Sequence, residues 1–147
     1  MIKKFPFVPF SMAAAMTISL SSCQVMNPDL GGGKILLYTT DGEYIDAANV
    51  GNLPDMVKFI DEKTLISANE GEPADDYSED AEGSISIIKL DKNKNVKEVT
   101  TLGFENIALE GDVRIKPNST AAQDLEPEYV ALSANGDTAW VSLQENN

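Results

Sequence analysis

Between Asn69 and Glu82 the chain carries seven carboxylates, at Glu70, Glu72, Asp75, Asp76, Glu79, Asp80 and Glu82, with no basic residue among them. Acids this close repel one another unless water screens them or a cation sits between them. Carboxylate oxygens are hard ligands, and an irregular loop suits the flexible coordination of calcium better than the strict octahedron of magnesium. A solvated acidic loop is the ordinary alternative, since charge runs commonly face water. The loop is not an EF-hand: with Asp76, Ser78 and Asp80 in the ligand positions, Ala81 stands where glycine is required and Ile87 where a bidentate Glu belongs.

Two further polar clusters follow, Gln123-Asp124-Leu125-Glu126-Pro127-Glu128 and Gln144-Glu145-Asn146-Asn147. Each adjoins an expected strand, so oxygens distant in sequence can converge on one face of a folded sheet; turn formation is the competing role. The metal-ligating set expected on these grounds is Asn69, Glu70, Glu72, Asp75, Asp76, Asp124, Glu126, Glu128 and Glu145, with calcium as the ion. Arg114, Gln144 and Asn146 are the candidates for holding a substrate or ligand, although Arg114 can equally form a plain ion pair. No catalytic nucleophile is identifiable.

The chain contains no histidine. That removes His-based acid/base chemistry, Ser-His-Asp triads and His-rich zinc sites from this sequence. Eleven basic against 24 acidic residues give a net charge of −13. Such a surface repels phosphate backbones, so nucleic acid is excluded as a partner and cations are favoured.

Residues 1–22 have the layout of an export signal: Lys3 and Lys4, an apolar run from Phe5 to Leu20, then small residues. Leu20-Ser21-Ser22-Cys23 resembles the bacterial lipobox, in which the cysteine becomes the acylated N-terminus. The run is short for a membrane span, the alternative reading. Gln24 in place of Asp after the cysteine implies transfer to the outer membrane, so the expectation is a lipid-anchored envelope protein, periplasmic or surface-facing. Residues 23–33, ending in three glycines, then form a flexible tether. Asn118-Ser119-Thr120 matches the N-glycosylation sequon, which in a bacterial lipoprotein ordinarily carries no meaning.

The elements that must position the acids are strands. Apolar or alternating segments are expected at Lys34–Thr39, Glu43–Ala48, Met56–Phe59, Thr64–Ala68, Ser84–Leu90, Val96–Leu102, Tyr129–Ser133 and Thr138–Leu143, bounded by turn residues. No stretch sustains a 3.6-residue apolar period, so the class is all-β. An internal echo supports repetition: Pro54-Asp55-Met56-Val57-Lys58-Phe59 returns as Pro127-Glu128-Tyr129-Val130-Ala131-Leu132, 73 residues later. The fold expected over 34–147 is the N-terminal part of a β-propeller with incomplete blades, because a ring needs about four blades to close.

Ala68-Asn69-Glu70-Gly71-Glu72-Pro73-Ala74-Asp75-Asp76-Tyr77, Ala121-Ala122-Gln123-Asp124-Leu125-Glu126-Pro127-Glu128-Tyr129 and Leu143-Gln144-Glu145-Asn146-Asn147 resemble blocks of the choice-of-anchor I family. So do Val50-Gly51-Asn52-Leu53-Pro54-Asp55-Met56 and the run from Glu82 to Ile88. The resemblance implies a β-propeller domain of exported bacterial proteins held at the envelope by varied anchors. The implied function is a binding or scaffold module, with a metal-dependent phosphoesterase of alkaline phosphatase or phytase type as the alternative, because family members often carry phosphatase labels.

Overall fold

The computed structural model describes residues 32–74, 78–109 and 113–143. Among these residues the fold is all-β, with eight antiparallel strands and a single helical turn. Strand β1 (Lys34–Tyr38) pairs with β2 (Tyr44–Asn49) across a turn at Asp41-Gly42, where Gly42 takes a φ of 86°. Strands β3 (Pro54–Asp61), β4 (Thr64–Asn69), β5 (Ser84–Leu90) and β6 (Val96–Gly103) form a four-stranded meander in that order. Strand β7 (Pro127–Leu132) pairs with β8 (Ala139–Leu143) in a second hairpin.

Turn chemistry sets the registers. Asp61 Oδ1 accepts from the Lys63 amide at 2.7 Å and closes the β3–β4 turn. Asp91 Oδ1 accepts from the amides of Asn93 and Asn95 at 2.7 and 2.9 Å, shaping the β5–β6 turn. Short polar side chains fold back on the backbone in this way more readily than they join a ladder.

The three sheets stack, with the meander in the middle. Its first face contributes Leu65, Ile88 and Leu90 to a core shared with Ile35, Leu37 and Ala48 of the β1–β2 hairpin. Its second face contributes Ile66, Ala68 and Ile85 to a core closed by Val130 of β7, with Leu132 and Val141 packed alongside. Alternation along β4 sends Leu65 one way and Ile66 the other, the period-two pattern of a strand covered on both sides. Edge strand β6 is mostly exposed, and Asp46 Oδ2 of β2 accepts from its first amide, that of Val96, at 2.8 Å.

Three details differ from the sequence expectation. Strands β3 and β7 begin at Pro54 and Pro127 and not at Met56 and Tyr129; proline gives no amide to a ladder but is tolerated as a first residue. Gly33, expected in the tether, is joined to the fold: its amide donates to Gly51 O at 2.7 Å and Val50 N donates to Gly33 O at 2.9 Å. A Cβ on Gly32 would lie 2.1 Å from Val50 O, so the bare backbone is what permits this approach. Finally, Ala121–Asp124 forms a helical turn, α1, capped by Thr120 and Gln123 in a reciprocal pair.

The 73-residue echo is structural. Val57 and Phe59 of β3 point toward the β1–β2 side of the stack, and Val130 and Leu132 of β7 point toward the meander in the same sense. Leu53 and Glu126, the residues before the two prolines, both sit in the left-handed region, at φ 47° and 39°.

Candidate acidic site

Carboxylate oxygens of Asp55, Glu70 and Glu128 lie within 4.8 Å of one another. Asp55 is the second residue of β3, Glu128 the second of β7, and Glu70 the first after β4, so packing β7 against β3 and β4 brings the three together. The Glu70 amide donates to Leu53 O at 2.9 Å, which ties the end of β4 to the residue before β3. Left-handed backbone at non-glycine residues costs on the order of 1–3 kcal/mol per position. Here it is spent at Leu53 and Glu126, directly before the strands that carry Asp55 and Glu128.

Glu70 feels this crowding. Burial first, then the charges of Asp55, Glu72, Glu128 and Glu126, raise its carboxyl pKa from 4.5 to about 7. Such a group resists carrying charge in a partly buried corner already rich in anions, and a cation placed between the oxygens relieves both burdens.

Beside the triad opens a cleft of about 480 Å³ lined by Glu70, Glu72, Asp124 and Glu126, with Arg114 and Lys116 also on its wall. Asp124 Oδ2 accepts from the Lys116 amide at 2.8 Å. Of the residues expected from sequence, the structure therefore gathers Glu70, Glu72, Asp124, Glu126, Glu128 and Arg114 at one corner. Asp75, Asp76, Gln144, Glu145, Asn146 and Cys23 lie outside the described residues.

Asn69, in the expected ligand set, is placed inside the meander. It is fully buried, accepting from Ser67 Oγ at 2.9 Å and donating through Nδ2 to Ser84 Oγ at 3.1 Å and Ser86 Oγ at 3.0 Å. Its side-chain amide is committed to these three hydroxyls. Asp55 is the residue that sequence reasoning missed. Its signal was the echo itself, which sets Pro54-Asp55 against Pro127-Glu128 and so places two acids at equivalent positions.

The chain matches the choice-of-anchor I domain over residues 11–147. It belongs to that family. The choice-of-anchor I match starts upstream of the 34–147 stretch that carries the quoted blocks and reaches into the segment with the layout of an export signal. No curated protein and no solved structure matches the chain. The choice-of-anchor I assignment marks a surface- or envelope-related anchor module. Among the described residues no helix is long and apolar enough to cross a membrane.

Proposed function

We propose that this choice-of-anchor I chain is a lipid-anchored envelope module of propeller type that binds a divalent cation, calcium by its chemistry, at the corner formed by Asp55, Glu70 and Glu128. The observation that carries the reading is the convergence of three carboxylates, two on strands β3 and β7 and one directly after β4, to within 4.8 Å. An all-oxygen, anionic donor set of this kind fits calcium, which takes carboxylates, backbone carbonyls and waters in flexible geometry. Bound there, the ion would neutralise the repulsion among the acids and clamp β7 to β3 and β4. Arg114 and Lys116, across the cleft, would offer cationic contacts to an acidic ligand. The phosphoesterase alternative has no observation in its favour.

On this reading the four-stranded β3–β6 meander would be one blade, with the β7–β8 and β1–β2 hairpins as parts of its two neighbours. Thermal unfolding of the full chain tests the cation: calcium should raise the midpoint, following RT ln(1 + [L]/Kd), by about 2.7 kcal/mol of stability at a hundred times Kd. Asp55→Asn and Glu128→Gln should remove most of that increment, whereas an equal increment in both variants would refute the site. The anchor has its own test. Replacing Cys23 by Ser should abolish incorporation of labelled palmitate and release the protein from the membrane fraction; continued labelling would overturn lipidation.

A further inference from the structure

Met56 is the one methionine among the described residues, since Met1, Met12, Met16 and Met26 all precede them. It lies on β3 opposite Ala68 of β4 and packs against the core that Val130 closes. Its sulfur also makes a polar contact. The Val130 amide donates to Met56 Sδ at 3.0 Å and so ties β7 to β3 across 74 positions of sequence.

The β7–β8 hairpin dictates this partner. Alternate amides of a strand face its neighbour, and on β7 those facing β8 are Ser133, which donates to Thr138 O, and Tyr129, which donates to Ser142 Oγ. The Val130 amide therefore points away from β8, toward β3. Val130 is fully buried, so water does not compete for that amide. A thioether is a weak acceptor, and here it serves a buried backbone donor that would otherwise be costly to leave unpaired. The Met56 side chain is only partly buried, which leaves a small oxidant a path to it.

We propose that Met56 is an oxidation site, converted to its sulfoxide by hydrogen peroxide, and that the conversion loosens β7 from β3. The sulfur gives an electron pair to one peroxide oxygen, and an S–O bond forms as the O–O bond breaks. The proton of the transferred oxygen passes to the departing hydroxide, which leaves as water. Sulfur is oxidised by two electrons and the peroxide is reduced by two. Either placement of the new oxygen breaks the contact. An oxygen set between sulfur and amide needs about 2.9 Å to the nitrogen by itself. The sulfur now stands at 3.0 Å, so β7 must retreat. An oxygen on the other lone pair leaves the sulfur electron-poor, and the buried Val130 amide loses its acceptor. In both cases a polar group replaces an apolar one beside Ile66 and Val130. The proposal rests on this contact and not on cation binding.

Peroxide treatment of the full chain, with sulfoxides located by peptide mass spectrometry, tests it. Met56 should gain one oxygen in the folded protein, and the thermal midpoint should then fall by roughly 5 °C. Deuterium exchange of the Val130 amide should speed up at least about tenfold, while amides of β5 keep their protection. Methionine sulfoxide reductases should reverse both changes. Met56→Leu keeps the apolar volume and should show no peroxide-dependent fall, whereas Met26→Leu should respond as the unaltered chain does. Met56 left unoxidised while Met26 is fully converted overturns the proposal. So does an equal fall in Met56→Leu, or oxidation of Met56 that leaves Val130 exchange unchanged, a readout that needs no substitution.

Discussion

Replacing Asn69 by Ala is expected to lower stability by roughly 3 kcal/mol or more, equally in calcium and in chelator. Its side chain is the hub of a buried network. Ser67, Ser84 and Ser86 all bond to it, and all four residues are buried. Truncation strands their hydroxyls in the sheet, and an unsatisfied buried polar group costs about 1–3 kcal/mol. Against a typical domain stability of about 5–15 kcal/mol, that is a large fraction. The network also seats the turn before β3: the Gly51 amide donates to Ser86 Oγ at 3.4 Å, and a Cβ on Gly51 would lie 2.1 Å from Ser84 Oγ. Chemical denaturation with and without calcium checks the claim. A loss confined to the calcium-bound protein would restore Asn69 to the ligand set.

Replacing Glu70 by Gln is expected to flatten the pH dependence of the metal-free protein. Burial and four neighbouring carboxylates raise the Glu70 pKa to about 7, against 4.5 ordinarily. Between these values the folded chain holds a proton that the unfolded chain has released, so stability falls as pH rises through that window. Stabilisation from the protonated form is complete below the ordinary value and gone above about 7. A single proton sets a ceiling of about 1.4 kcal/mol per pH unit on the slope, and solvent screening of this partly exposed corner brings it lower. In chelator, the unaltered protein should therefore unfold more readily above neutrality than at mildly acidic pH, and Glu70→Gln should remove most of that difference. An identical slope in the variant would mean that other groups carry the titration.

The strands were legible because each carries its own signal. Val, Ile and Leu alternate or cluster between Asp, Asn and Gly turns, and all eight segments read this way are strands in the structure. Their ends were less legible where proline begins a strand, as at Pro54 and Pro127, because proline ordinarily argues against a ladder. The helical turn at Ala121–Asp124 was missed although Thr120 and Gln123 spell a capping box; four residues are too few to show an apolar period. The acidic corner was half legible. Dense carboxylates mark Glu70, Glu72, Asp124, Glu126 and Glu128, but Asp55 is a lone acid in an apolar stretch, and only the packing of β7 on β3 gives it company. Asn69 shows the limit of adjacency: it precedes Glu70 in sequence, yet its side chain bonds to Ser67, Ser84 and Ser86 within the sheet.

The central claim is that Asp55, Glu70 and Glu128 hold a cation together, and calorimetric titration of calcium into the full chain near neutral pH tests it most directly. The predicted result is saturable binding of one ion per chain, with proton release as Glu70 ionises, shown by a heat that changes with the ionisation enthalpy of the buffer, and with the heat lost in Glu128→Gln. Absence of saturable heat, or a titration unchanged by Glu128→Gln, would contradict it.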